Sequence, residues 1–151
     1  MLKKAGLKGQ SSVEYLSIVA IALMVLIPGS YLFLNYSQGA SDQVAANQLN
    51  VAGYDIINEA EKMYVLGRDS WITLELSLPG NFLEAGIHDG KEMYFKHGTG
   101  RGESFVVFFP VGFNISNSTS ECVGECVLDF NPGINRVRIQ SQGDFVSIEK
   151  R

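Results

Sequence analysis

The chain has 151 residues, of which 46% are hydrophobic and 19% charged, a composition that suits one modest folded domain with an appended segment and excludes a disordered chain. Its net charge is −4, and beyond three lysines near the N-terminus the basic residues are scattered. Because phosphate binding needs clustered positive charge, we expect no nucleic-acid binding by the isolated globular part.

A long apolar run follows a short basic start. Lys3, Lys4 and Lys8 precede it, and by the positive-inside rule this flank is cytoplasmic, which places the rest of the chain outside the cell. Residues 15–34 extend about 30 Å as a helix, the thickness of a bilayer core. A plain single-pass anchor has these features. A cleaved secretory signal is the other ordinary interpretation, but its apolar region is shorter, about 7–15 residues, and ends in an A-x-A-like site.

The stretch KGQSSVEYL, residues 8–16, lies directly before the apolar run. In a secretory signal the cleavage site follows the apolar core, whereas here the candidate processing motif precedes it. This stretch resembles the class III signal peptide of archaeal type IV pilin-like proteins. The resemblance implies that a class III prepilin peptidase cuts between Gly9 and Gln10 and leaves the apolar helix on the mature subunit. Loss of the three leader lysines would change the formal charge from −4 to −7.

Glu14 is the one charged residue at the start of the apolar run. An interface residue at the membrane edge is one interpretation, because the cost of a charge there is low. The resemblance assigns it a role in assembly. In a core of packed helices its carboxylate leaves water, and the new α-ammonium of Gln10 on a neighbouring subunit offers a partner that fixes the axial stagger. If Gln10 cyclises to a neutral lactam, Glu14 is protonated or hydrogen-bonded instead.

The helical pattern continues past the apolar run. Apolar residues recur at steps of three and four and predict one buried stripe: Leu49, Ala52, Ile56, Ala60 and Met63. Gly67 is the expected stop, which makes residues 10–66 one helix of about 85 Å. Pro28 and Gly29 are expected to bend or locally melt it, and residues 35–41 are a second weak point.

From Trp71 onward the apolar period is two, which predicts strands. The Asp-Gly pair at 89–90 predicts a tight hairpin, and the last two predicted strands are joined around Gln142 and Gly143. The continuous apolar strand ESFVVFFP is expected to be central in its sheet. About seven short strands at regular spacing predict a sandwich or small barrel. The predicted strand segments are WITLELSLP, two in NFLEAGIHDGKEMYFKHG, ESFVVFFP, CVLDF, and two in INRVRIQSQGDFVSIEKR.

Residues that could carry chemistry are few. The stretch GTGRG, residues 98–102, lacks the spacing of a phosphate loop and joins strands, so we expect a hairpin loop. His88 and His97 are expected about 20 Å apart on one hairpin, as surface or edge residues that share no metal. We find no Ser-His-Asp pattern, and we therefore expect no enzyme activity, no catalytic residue, no metal and no cofactor.

Three residues separate Cys122 from Cys126. Two cysteines alone are too few ligands for a structural zinc site. Outside the cell we expect a disulfide that clips a loop, with two free thiols as the alternative in a reducing setting. Three sequons, at Asn35, Asn114 and Asn117, are candidate N-glycosylation sites. The last two fall in FNISNSTSEC, expected as an outward polar loop. Glycosylation is common in the family and is implied by the resemblance.

The predicted fold class is α+β, a long N-terminal apolar helix followed by an antiparallel, sandwich-like β head, as in type IV pilins. Residues 1–9 are the leader, 10–34 the transmembrane and filament-core helix, 35–67 its continuation packing on the head, and 68–151 the head. The predicted function is a structural subunit of a surface filament. A membrane-tethered surface module that binds a glycan or protein, and a minor tip or priming pilin, are the alternatives.

Partners follow from the resemblance. They are identical or related pilin subunits that contact the N-terminal helix, the prepilin peptidase, and a pilus assembly ATPase with its membrane platform. The precursor is expected in the cell membrane with its N-terminus in the cytoplasm and its head outside, and the mature chain in an extracellular filament.

Overall fold

The computed structural model describes residues 7–151 except Arg101, and of residues 7–12 it describes the backbone alone. The chain divides into two compact units, Met1–Ala40 and Ser41–Arg151. It contains one helix and eight strands among the described residues, so the α+β class predicted from the sequence is confirmed.

The helix α1 spans Leu7–Leu66 and includes Pro28. Its backbone remains helical at Gly29 and through residues 35–41, so the helix melts at neither of the predicted weak points. A proline removes a single backbone donor, and the flanking hydrogen bonds keep the helical path. The helix ends at Gly67 as predicted: this residue has φ 90°, which favours glycine, and its N–H donates to the Met63 carbonyl over 3.1 Å.

The strands form two four-stranded sheets. Sheet A has the order β1-β7-β8-β5, and sheet B has the order β4-β3-β2-β6. Neighbouring strands are antiparallel except β5 and β8, which are parallel. The strand bounds are β1 Trp71–Leu78, β2 Phe82–His88, β3 Glu92–Gly98, β4 Ser104–Pro110, β5 Asn114–Ser116, β6 Glu125–Leu128, β7 Gly133–Ser141 and β8 Phe145–Lys150.

Two expectations about these strands are wrong. The sequence predicted about seven strands, and the unpredicted one is β5, which lies in the stretch expected to be an outward polar loop. The apolar strand β4 is an edge strand of sheet B, not a central one. Phe109 on β4 is 2% exposed and faces the core, whereas Val106 and Phe108 on the opposite face are 40% and 59% exposed. The apolar residues of β4 therefore lie on two faces, one buried in the core and one exposed.

The three predicted turns are confirmed. Asp89 and Gly90 join β2 to β3 with φ 48° and 65°, the positive values that a tight hairpin turn requires. Strands β3 and β4, which flank the loop predicted at residues 98–102, form one antiparallel pair, and Arg101 of that loop lies outside the described residues. The turn at Gly143, with φ 103°, connects β7 to β8.

A single hydrophobic core joins the inner faces of both sheets to α1. Every member of the predicted helical stripe is buried: Leu49, Ala52, Ile56, Ala60 and Met63. Their opposite helix face carries exposed Asp55, Asn58, Glu61 and Lys62. Gly53 lies on the buried face, where a Cβ atom would overlap the ring of Phe109. Glycine thus lets an aromatic ring from β4 pack directly on the helix backbone.

Candidate functional site

The predicted processing site lies near the start of α1. The backbone of Gly9 and Gln10 is helical there, and their side chains lie outside the described residues, as does most of the predicted leader. Glu14 follows one helical turn after Gln10 and its side chain is exposed.

The helical segment after Glu14 exposes apolar side chains on all sides. Within residues 13–34, fifteen large apolar side chains are exposed, and five of them are consecutive, at residues 23–27. A helix that is apolar all round needs apolar surroundings on every side. At about 1.5–3 kcal/mol for each of these fifteen side chains, leaving this surface in water costs about 20–45 kcal/mol. The helix is long and apolar enough to cross a membrane.

Polar side chains inside this segment are satisfied by its own backbone. The hydroxyl of Ser17 donates to the Val13 carbonyl over 2.9 Å, and that of Ser30 donates to the Leu26 carbonyl over 2.7 Å. Such bonds let a hydroxyl sit in hydrocarbon without an outside partner. Glu14 is the sole ionisable residue of sequence positions 13–34 apart from the tyrosines.

The two histidines lie at opposite ends of the β2–β3 hairpin, as predicted. His88 ends β2 at the turn, whereas His97 pairs with Phe82 at the far end. His97 is 3% exposed and its ring lies 6.1 Å from that of Phe105, so the expectation of a surface or edge residue is wrong for it. In the described part of the chain, no three histidine, cysteine or acidic side chains are grouped to hold a metal ion.

Cys122 and Cys126 lie at disulfide distance, with Cα atoms 6.1 Å apart. The loop they close is joined to the β2–β3 turn. The N–H of Asp89 donates to the Gly124 carbonyl over 2.7 Å, and the N–H of Gly124 donates to the Asp89 carboxylate over 3.0 Å. The Cys122–Cys126 loop therefore fixes a hairpin turn in addition to its own five residues.

The three sequon asparagines differ in their surroundings. Asn35 donates its amide to the Tyr31 carbonyl of its own helix over 3.2 Å, and Asn117 donates to the Val127 carbonyl over 3.0 Å. Asn114 lies in β5, next to the buried Ile115. The stretch around Asn114 and Asn117 is thus partly a strand tied to its neighbours, and the loop expected there is shorter than predicted.

The sequence did not indicate a cluster on the outer face of sheet B. The Tyr94 hydroxyl donates to a carboxylate oxygen of Glu125 over 2.5 Å, with Glu84 at 3.5 Å. Its ring covers Gly86, where a Cβ would come within 2.5 Å of the phenol. Burial raises the pKa of Tyr94 well above its ordinary value of 10.0, and the hydrogen bond to Glu125 and the charge of Glu84 raise it further. Glu84 and Glu125 lie 10 and 31 residues from Tyr94 in the sequence, so only the alternation of β3 hinted at an outward Tyr94.

The chain was compared with known proteins in three ways. No family model, curated protein or solved structure matches it.

Proposed function

We propose that this chain is a structural subunit of a type IV pilus-like surface filament, made as a membrane-anchored precursor and cut before Gln10. The observation that carries the proposal is the exposed apolar surface of residues 13–34, with Gly9 and Gln10 before it and Glu14 at its start, in the order of a class III signal peptide.

Two environments can cover an apolar surface on every side of a helix. In the precursor the lipid bilayer covers residues 13–34, and in the filament the same surface packs against equivalent helices of other subunits. A plain anchor needs only the first environment. A processing site before the helix favours the second, because cleavage there removes the cytoplasmic lysines and leaves the helix intact. The cleaved chain has an apolar helix, which can pack into a core of helices, and an acidic head.

Glu14 gives the proposed assembly its axial register. An unpaired carboxylate is costly in a helix-packed core, so subunits settle where the carboxylate meets a positive group. In the cleaved chain that group is the α-ammonium of Gln10 on a neighbouring subunit. The hydroxyls of Ser17 and Ser30 need no such partner because they bond within their own helix. Glu14 is thus the position where a substitution is expected to separate assembly from membrane insertion.

The remaining features are assigned within this proposal. The class III prepilin peptidase removes the leader, and an assembly ATPase with its membrane platform adds subunits. The Cys122–Cys126 bond forms outside the cell, where thiols oxidise. Asn35, Asn114 and Asn117 are the sites where a glycan could be attached, and among them Asn114 and Asn117 belong to the exterior head.

The experiment compares Glu14→Ala with Ser17→Ala, expressed in cells that make the filament. Both variants are expected to insert into the membrane and to be cut before Gln10, because neither changes the apolar length or the cleavage residues. Glu14→Ala is expected to be depleted at least about tenfold from purified filaments, the effect of about 1.4 kcal/mol on an equilibrium. Ser17→Ala is expected to assemble normally.

Immunoblots of membrane and filament fractions, each normalised to total chain, measure the incorporation. Glu14→Gln separates charge from hydrogen bonding, since an amide keeps the shape without the carboxylate. Incorporation of Glu14→Ala equal to that of Ser17→Ala would contradict the proposed role of the carboxylate. Absence of the unaltered chain from the filaments would contradict the proposed function itself.

A further inference from the structure

The edge strand β4 of sheet B carries no charged residue. Its apolar side chains are exposed on both faces: Phe105 is 54% exposed at one end of the inner face, and Val106 and Phe108 are exposed on the outer face. Edge strands are usually protected by charges, prolines or a short length, because their free backbone groups pair readily with another strand. Pro110, the last residue of β4, is the one such protection in its seven residues.

The free backbone groups of β4 can be assigned to particular residues. Val111, directly after β4, donates its N–H toward the β3 side, to the Lys91 carbonyl over 2.8 Å. Along an antiparallel strand, the residues that bond to one neighbour alternate with those that point away from it. The N–H and C=O groups of Ser104, Val106 and Phe108 therefore point away from β3, to the side where sheet B ends in the described part of the chain.

We propose that β4 pairs antiparallel with β4 of a second copy of this chain, so that sheet B continues across both chains. The register is centred on Val107, which lies opposite itself on a two-fold axis. Val106 then lies opposite Phe108 of the second copy. Because both residues direct their backbone groups to the free edge, each such pair exchanges two hydrogen bonds. The symmetry produces this pair twice.

The fit of β4 to its own copy selects the second copy as the occupant. Val106 with Phe108 is an aromatic–β-branched pair, which is favourable between neighbouring strands. Pro110 has no N–H to donate, and it falls at the end of the paired stretch, where its C=O accepts from Ser104 of the second copy. The register brings no charged residue of β4 into the contact.

The other edge strands of the described chain fit β4 less well. Strands β1 and β6 carry Glu75 and Glu125, and β5 is three residues long. An uncharged edge strand of matching length is therefore offered by β4 itself. The pairing also covers Phe105, which comes to lie opposite Phe109 of the second copy.

The contact is expected to be weak between dilute chains. Seven residues at about 3.3 Å each make a strip about 23 Å long and about 10 Å wide, so pairing buries about 230 Å² on each copy. A stable complex in solution needs about 800 Å² on each partner. The pairing therefore forms where chains are held at a high local concentration.

The symmetry of the contact determines which chains it joins. A two-fold contact closes on itself, whereas successive subunits of a filament are joined by heterologous contacts. In the proposed filament, β4 pairing therefore joins subunits of two neighbouring filaments.

The test introduces one cysteine into β4 of the full-length chain at high concentration in detergent. Cys122 and Cys126 lie at disulfide distance from each other, so the new thiol is the one free to link two chains. Val107→Cys lies on the two-fold axis, where the Cα atoms of non-hydrogen-bonded partners are about 4.5 Å apart. Val106→Cys is the matched control. Position 106 is more exposed than 107, but it lies two residues away from its own copy, at about 7–8 Å and beyond disulfide reach.

On oxidation, Val107→Cys is expected to yield at least about tenfold more disulfide-linked dimer than Val106→Cys. Adding Val106→Pro to Val107→Cys is expected to lower the dimer yield at least about tenfold, because each dimer loses two hydrogen bonds across the contact. Adding Val106→Ala, which keeps the N–H, is expected to lower it less than about threefold. Near-ultraviolet circular dichroism verifies that the head of each variant is folded.

No dimer from Val107→Cys, or equal yields from the two cysteine variants, would overturn the pairing of β4 with its own copy. A yield that Val106→Pro leaves unchanged would overturn pairing through the backbone. The comparison of the two cysteine variants decides the question even where the proline variant does not fold. None of these results bears on the proposed function, since the experiment uses neither filaments nor the cleaved chain.

Discussion

Gly53→Ala is expected to destabilise the head, although alanine favours helices. A Cβ at position 53 would meet three atoms of the Phe109 ring, far inside normal contact. The ring has little room to move. Phe109 is 2% exposed, and its ring makes edge contacts with Tyr54 at 5.4 Å and with Phe95 at 5.6 Å.

Two opposing terms set the size of the effect. Overpacking a core costs about 1–3 kcal/mol, and the rigid ring places this site near the upper end. Replacing a helical glycine by alanine stabilises a helix by up to about 1 kcal/mol. The net expectation is a loss of about 2 kcal/mol in the free energy of unfolding. For a unit of this size such a loss lowers the melting temperature by about 8 °C.

Thermal unfolding of the full-length chain in detergent, followed by near-ultraviolet circular dichroism, measures the loss. Gly39→Ala is the matched control, because Gly39 also lies in α1 and a Cβ there meets nothing within 4 Å. Its melting temperature is expected to stay level or to rise. In the background Phe109→Leu, the further cost of Gly53→Ala is expected to shrink by at least about 1 kcal/mol, since contacting residues are energetically coupled. A Gly53→Ala variant as stable as the unaltered chain would refute the packing argument.

Three further predictions concern the head. Replacing Cys122 and Cys126 by serine is expected to lower the unfolding free energy by about 2 kcal/mol in a denaturant titration, because the disulfide closes a five-residue ring. If both thiols of the exported protein could be alkylated freely, the predicted disulfide would be contradicted. Asn135 is 2% exposed, and its side chain exchanges hydrogen bonds with the backbone of Asn131. Asn135→Ala is therefore expected to lower the unfolding free energy by about 2 kcal/mol. A loss below about 0.5 kcal/mol would argue against this structural role of Asn135. The raised pKa of Tyr94 implies that stability falls as the pH rises above 10.0, where the unfolded phenol ionises and the folded one keeps its proton. Tyr94→Phe is expected to flatten this alkaline decline, and an identical slope in both proteins would count against the pKa shift.

The helix and its buried stripe were predictable because they depend on local periodicity. Leu49 and Ile56 recur at steps that only a helix places on one face, and Gly67 ends it with a conformation that favours glycine. The β2–β3 hairpin was predictable for the same reason, since Asp89 and Gly90 specify a local turn.

Features that depend on distant partners were missed. Strand β5 is three residues long, and it exists through parallel pairing with β8, about thirty residues later. The edge position of β4 also depends on sheet order, which composition does not specify. The burial of His97 against Phe105 and the Tyr94 cluster both arise from strand register. In the candidate site, the order of Gly9, Gln10 and Glu14 came from the sequence alone, whereas the cluster of Tyr94 with Glu84 and Glu125 required the fold.

The N-terminus of the chain in purified surface filaments tests the central claim most directly. Filaments are sheared from cells, washed free of membrane, and analysed by intact-mass spectrometry with N-terminal peptide mapping. We predict that the chain is present and begins at Gln10, either as the free amine or as its cyclised lactam. A chain that begins at Met1 and is confined to the membrane fraction would contradict the account.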